Sequence, residues 1–130
     1  MGRNLSWKLP ERVEVCEDDV AGELIDSYHR NALRSAMSRY VGVLRTPDGL
    51  ETAQEILGTL ADNMSSDIVP TRKAFEATNM LTIATAVVEA AQARKESRGC
   101  HRRTDVVEPQ ENWRHHITCS LVDGQVQVTS

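Results

Sequence analysis

Between Met80 and Ala93 the chain reads MLTIATAVVEAAQA, and Thr82, Thr85, Glu89 and Gln92 are its only polar residues. No other stretch limits the fold as tightly. Phe75, Thr78, Leu81, Thr85 and Val88 fall near one another on one side of a helix, and Ala77, Met80, Ala84, Val87 and Ala91 on another. A helix apolar on two sides must touch more than one neighbour. The spacing predicts this helix over about Thr71–Arg98. Its neighbours have to be helices as well. Hydrophobic residues make up 40% of the chain but aromatics only 4%, so the core is built from aliphatic side chains and alanine, which suits close helix packing.

Two other segments carry the same period. Ile25, Tyr28, Ala32, Ala36, Met37, Tyr40, Val41 and Leu44 recur at steps of three and four with an occasional adjacent pair, which predicts a helix over about Gly22–Leu44. RTPDGL interrupts it, with Thr46 placed to cap the next helix and Pro47 suited to its first turn. Leu50, Ala53, Ile56, Leu57, Leu60, Ala61 and Met64 then predict a second helix over about Asp48–Met64. SSDIVP ends it, because Pro70 disfavours helix at Val69.

The expected fold class is all-α: a three-helix up-down-up bundle, spectrin-repeat-like, over residues 21–105. Residues 1–20 carry Pro10 and the acidic group Glu11, Glu14, Glu17, Asp18 and Asp19, and read as a linker or leader. Residues 106–130 read as an irregular C-terminal extension with a small β-hairpin. Its strands are Ile117–Val122 and Gln125–Thr129, turning at Asp123-Gly124. A hairpin alone is marginal, so it must lie on the bundle or pair with a second copy. Apolar surface left over on the third helix would face another domain or a second subunit, so a homodimer is one expectation.

Composition narrows the partners. A net charge of -4 gives no general attraction to nucleic acid or an anionic membrane. No run approaches the ~18 apolar residues that a membrane span needs. Cys16, Cys100 and Cys119 are odd in number and widely spaced, and no signal peptide precedes them. That pattern predicts reduced thiols and a cytoplasmic location.

One cluster stands out beyond the long helix. Residues 96–103 read ESRGCHRR. Cys100, His101, His115, His116 and Cys119 could suggest zinc, but their spacing does not give the two chelating pairs that zinc sites use. Cys100 lies among Arg98, Arg102 and Arg103, yet at the C-terminal end of the predicted helix, where the dipole disfavours a thiolate. The basic set Arg94, Lys95, Arg98, Arg102 and Arg103 has no interleaved aromatic on which bases could stack. Asp18-Asp19 and Glu108 with Glu111 lie in polar segments that make poor acid–base pairs. No catalytic, cofactor-binding or metal-ligating residue is therefore expected from spacing. Helix-end chemistry explains Arg94, Lys95, Arg98 and a left-handed cap at Gly99. It leaves His101, Arg103 and Asp105 without a reason.

A family resemblance supplies one. Met37, Arg39, Val41, Gly42, Arg45, Gly49 and Leu50 match a pattern M-x-R-x-V-G-x-x-R-x-x-x-G-L. Asn79, Met80 and Leu81 are followed by R-x-E-S-R-G-x-H-x-R-x-D, here Arg94, Glu96, Ser97, Arg98, Gly99, His101, Arg103 and Asp105. Trp113 with His115 or His116 supplies a third pattern, an aromatic before a histidine. Together they resemble the C-terminal helical domain of L-aspartate oxidase, within the succinate dehydrogenase and fumarate reductase flavoprotein family. The likeness runs from about Asp26 to His116. It departs after Asp105, where relatives often carry D-[FY]-P, and it assigns nothing to the terminal hairpin. RYVGVLR and the short tail resemble the oxidase branch, and the dehydrogenase and reductase flavoproteins are the alternative.

The resemblance implies a full-length enzyme that uses FAD to oxidise L-aspartate to iminoaspartate, the first step of NAD synthesis from aspartate. It implies no cofactor in this fragment, because the FAD-binding and capping domains precede the helical one and no G-x-G-x-x-G fingerprint is present here. It further implies that Arg94, Glu96, Ser97, Arg98, His101, Arg103 and Asp105 form an interface with the flavin-binding domain, pairing with carboxylates across it. An independent metal-binding or dimerisation module is the competing expectation.

Overall fold

In the computed structural model, residues 22–129 are described; the expected leader at 1–20 lies outside them. Side-chain caps start α2 and α3 and the short turn that leads into α1. Asp26 Oδ1 accepts the Tyr28 N–H at 3.0 Å and opens a 3₁₀ turn, Ser27–His29, which runs into α1, Arg30–Tyr40. Thr46 Oγ1 accepts the Gly49 N–H at 3.0 Å and starts α2, Pro47–Ala61. Thr71 Oγ1 accepts the Ala74 N–H at 3.2 Å and starts α3, Arg72–Ala93. Such caps satisfy amide groups that have no partner inside the helix.

The core is where the three helices meet. Leu33 of α1, Leu50, Ala53, Leu57 and Leu60 of α2, and Ala77, Leu81, Ala84, Val88 and Ala91 of α3 are buried together. Each helix touches both others, as the two-sided apolar pattern of α3 requires. The fold is helical-dominant, with two small two-stranded sheets added.

Three expectations need correction. The first helix does not begin at Gly22. Leu24 and Ile25 form a strap instead: Leu24 exchanges backbone hydrogen bonds with Ser65 at 3.1 and 2.9 Å, and the Ile25 N–H reaches Thr78 Oγ1 at 3.1 Å. Ile25 is buried as part of this strap, while Tyr28, Ala32 and Leu44 are exposed and Leu33, absent from the predicted stripe, is buried. Helical spacing counted across a non-helical strap fails there, so the predicted stripe marks the buried face only in part, at Ala36 and Val41 with Met37 and Tyr40 packed beside them.

The third helix stops at Ala93, not Arg98. Arg94 turns to φ -73, ψ 105, and no basic residue occupies the last helical turn. Arg94, Lys95 and Arg98 therefore do not complement the helix dipole. Gly99, at φ 57, serves a tight turn in which Arg98 and His101 exchange backbone hydrogen bonds of 2.8 and 3.0 Å. It is not the helix cap.

The class is not purely all-α either. Leu44–Arg45 (β1) and Arg102–Arg103 (β2) pair in parallel, with Leu44 opposite Arg102 and Arg45 opposite Arg103. Arg102 N–H reaches Val43 O at 3.1 Å and Thr104 N–H reaches Arg45 O at 3.0 Å. Two residues carry no period, so nothing in the pattern could announce this pair.

The terminal hairpin forms close to the expected bounds, as Thr118–Val122 (β3) and Gln125–Thr129 (β4). Asp123 at φ 49 and Gly124 at φ 77 give the two positive φ values of a type I′ turn. β4 packs on α3, with Val126 and Val128 half-buried. A further 3₁₀ turn, Glu111–Trp113, lies in the extension. No helix among the described residues is long and apolar enough to cross a membrane.

The two sides of α3 differ enough to test. Leu81 is 3% exposed and Ile83 is 64% exposed. Leu81→Ala should lower the unfolding free energy by about 2–5 kcal/mol, and Ile83→Ala should change it by less than about 0.5 kcal/mol. Urea unfolding followed by circular dichroism measures both. Equal losses would show that the buried face has been misassigned.

Candidate functional site

The end of α3 leaves carbonyls without helical partners. Arg103 Nη1 supplies one, donating to Ala91 O at 3.0 Å. Its Nε and Nη2 donate to the two oxygens of Asp105, both at 2.8 Å. This is the planar fork that suits a carboxylate. Arg103 is buried, so its position is fixed by packing as well as by charge.

Ser97 closes the next turn. Its hydroxyl accepts the Arg103 N–H at 2.7 Å and donates to Val106 O at 2.6 Å. Both ends of the 97–106 loop are thereby tied to one buried oxygen.

Glu96 is the centre. Its side chain is 0% exposed. Arg98 Nε donates to its two oxygens at 3.0 and 3.1 Å, Arg94 Nη1 donates at 2.6 Å, and the Gln110 N–H donates at 2.9 Å. Arg94 reaches further, to Trp113 O at 2.8 Å and His115 O at 2.7 Å. Arg98 Nη2 reaches Gln110 O at 3.3 Å. The arginines thus hold the 110–115 segment against the carboxylate. Trp113 completes the wall, with the Arg94 guanidinium 5.7 Å from its ring centre and the His115 ring stacked at 5.3 Å.

His101 sits between cations. Its Nε2 lies 3.2 Å from Arg94 O and its Nδ1 lies 2.6 Å from Arg45 Nη1. A carbonyl can only accept and a guanidinium can only donate. The network therefore assigns the proton to Nε2 and leaves Nδ1 as the acceptor. Burial, and then the positive charges of Arg45, Arg103 and Arg94, lower the imidazole pKa and keep the ring neutral. Burial also lowers the pKa of Arg45, but a guanidinium stays charged.

The carboxylates are held ionised. The Arg98 hydrogen bonds, with those from Gln110 N–H and Arg94, outweigh burial and bring Glu96 from an ordinary 4.5 to about 2. Arg103 likewise lowers Asp105, and Glu96 raises Arg98. Neither carboxylate can deliver a proton near neutrality, and both nitrogens of His101 are engaged. The arrangement fixes backbone rather than moving protons.

All seven residues singled out in the sequence come together here. Glu96, Ser97 and Arg103 are buried within the chain, whereas Arg94, Arg98, His101 and Asp105 keep some exposure. Other contributors lie outside the expected set: Arg45, brought in by the β1–β2 pair, and the backbone at Ala91, Val106, Gln110, Trp113 and His115. Arg45 belongs to the first sequence pattern, so a signal for it exists; a backbone N–H leaves none. The thiol reading loses two of its three cations, since Arg98 and Arg103 turn to Glu96 and Asp105. Cys100 and Cys119 are exposed free thiols. Among the described residues, no three His, Cys, Asp or Glu side chains gather as a metal group would require.

An open cleft of about 450 Å³ lies beside the corner, lined by Arg94, Arg98, His101, Trp113, Arg114, His115 and His116. β1 leads through the Thr46 cap directly into α2, with no glycine-rich phosphate loop between strand and helix.

These features define a class: a helical domain closed at one end by a buried arginine–carboxylate corner. The chain belongs to the fumarate reductase flavoprotein C-terminal family, whose profile matches residues 30–130. That match extends over the terminal hairpin, to which the sequence patterns assign nothing. The chain is 38% identical to an uncharacterized FAD-dependent oxidoreductase of Methanocaldococcus jannaschii over 89 residues, 65% of this chain and 16% of that protein. It is 34% identical to a CoM/CoB fumarate reductase polypeptide of Methanothermobacter marburgensis over 123 residues, 88% of this chain and 22% of that protein. It is 33% identical to L-aspartate oxidase of Streptomyces coelicolor over 100 residues, 71% of this chain and 17% of that protein. The chain thus spans less than a quarter of the length of each of these relatives.

Acid should loosen the corner in a defined window. A carboxylate whose pKa falls on folding adds stability above its unfolded value, and loses it as pH drops toward the folded one. For Glu96 the loss should run from about pH 4.5 down to about 2. Thermal melts across that range should show a pH-dependent component that Glu96→Gln removes. An unchanged pH slope in the variant would mean that Glu96 is not the titrating group.

Proposed function

We propose that this chain is the C-terminal helical accessory domain of an FAD-dependent L-aspartate oxidase, packed on the flavin-binding domain and without turnover of its own. The corner carries the reading. Seven residues of the family-like pattern meet in one network whose chemistry is positional, and part of that network stays accessible at the surface. In this reading the three helices run up, down and up, as in a spectrin repeat. Glu96, Ser97 and Arg103 hold the shape of the corner, and Arg94, Arg98, His101 and Asp105 border the flavin-binding domain.

The complete enzyme would use FAD to oxidise L-aspartate to iminoaspartate, in NAD synthesis and in the cytoplasm. The fragment would hold neither FAD nor the substrate. Relatives named L-aspartate oxidase in Streptomyces coelicolor, Yersinia pestis and Rhodospirillum rubrum support the oxidase branch. One observation favours a second reading, the equivalent domain of a fumarate reductase or succinate dehydrogenase flavoprotein. The Methanothermobacter marburgensis reductase matches 88% of this chain, more than the oxidase of Streptomyces coelicolor does. β4 lies on α3, so the hairpin needs no second copy, while Phe75 and Ile83 still leave apolar surface on α3.

The test begins with the flavin-binding domain expected upstream of Met1 in the genome, produced together with this chain. Turnover of L-aspartate supports the oxidase. Fumarate reduction without it moves the assignment to the second reading. In the assembled enzyme Arg98→Ala should reduce FAD retention after desalting and weaken domain docking, while turnover per bound flavin changes little. Loss of turnover with FAD and assembly intact would overturn the positional role.

A further inference from the structure

By sequence pattern, the arginines of the corner should pair with carboxylates of a partner. The structure gives most of them carboxylates of this chain instead. Arg94 and Arg98 share Glu96, and Arg103 takes Asp105. What remains unmatched lines the cleft. Arg98 is 42% exposed along its side chain. Its Nε and Nη2 are engaged, while Nη1 has no hydrogen bond among the described residues. Arg114 is 75% exposed and makes only a loose 3.7 Å contact to Glu111.

Three guanidiniums line this cleft, and among the described residues no acidic side chain does. Against them stand Glu96, buried and paired with Arg94 and Arg98, and Glu111, 3.7 Å from Arg114. Counting guanidiniums and carboxylates alone, the surplus is one to two positive charges. That surplus suits a singly charged planar anion better than a phosphate dianion, which would also feel Glu96. Guanidinium edges match a carboxylate through paired N–H groups. Glu96 further serves to hold Arg94 and Arg98 in place, so a ligand need not order them, and less is lost on binding.

We propose that the cleft between Arg98 and Arg114 is a carboxylate-binding site. The carboxylate comes either from a free organic acid or from an acidic segment of a protein. The inference goes beyond the docking reading and does not need it. A cleft that takes carboxylate does so in the chain as it stands, whereas docking is seen only with a flavin domain present.

Trp113 lines the cleft and can report binding by fluorescence. Trp7→Phe leaves it as the sole tryptophan. At fixed ionic strength, acetate and a blocked triglutamate peptide should change its emission, and chloride should not. Inorganic phosphate should bind more weakly than either. Arg114→Gln should weaken carboxylate binding about three- to tenfold without lowering the melting temperature. Arg102→Gln, outside the cleft, should leave binding unchanged. A peptide that outbinds acetate by more than its carboxylate count explains points to a protein-borne ligand, and equal binding per carboxylate points to a free acid. A response no larger than that to chloride overturns the proposal. So does binding that Arg114→Gln leaves intact, or a preference for phosphate.

Discussion

The buried carboxylate of Glu96 organises everything after α3. A charge with no exposure must be met by donors, or burying it would oppose folding. Here the donors are Arg98, Arg94 and the Gln110 N–H. Arg94 caps the end of α3, while Arg98 and Gln110 belong to segments that have no long helix or strand to hold them. Meeting the charge and ordering the extension are therefore one event. Arg94 continues the effect to the carbonyls of Trp113 and His115, just before the chain enters β3.

The same interaction sets the length of α3. Nothing in RKES forbids helix, and by propensity Arg, Lys and Glu favour it. The helix ends because Arg94 and Glu96 gain more from each other and from the 110–115 segment than from another turn. Arg103 then takes up the freed Ala91 carbonyl. A strong local preference yields here to distant partners, as happens when several charge-assisted hydrogen bonds compete with one helical turn.

Legibility follows the reach of each cause. α2 and the start of α3 lie within a few residues of their reading, because Thr46, Pro47 and Thr71 act on their immediate neighbours. The hairpin is legible for the same reason, through Asp123-Gly124. The strap at Leu24 and Ile25 and the β1–β2 pair are not, since their partners, Ser65, Thr78 and Arg102–Arg103, are far along the chain. Within the corner, the membership of all seven residues can be read from the pattern, but the partners of Arg94, Arg98 and Arg103 cannot. A sequence shows that arginines and carboxylates are present; only the fold shows that they satisfy each other. That internal pairing also suits the spread of relatives. A domain whose polar centre serves its own architecture places no demand on the substrate, and its relatives carry the names of both an oxidase and a reductase.

The short parallel pair also bears on the order in which the molecule comes together. Arg45 and His101 meet across 56 positions of chain, and α2 and α3 lie between them. Closing so long a loop costs entropy that only prior packing of those helices can offset. A clasp that waits on that packing is expected to close late in folding and to open early in unfolding. Weakening it acts on the rate at which the native state opens and leaves the rate of collapse nearly untouched. The corner works as a latch on a helical body already assembled, setting how long that body stays shut.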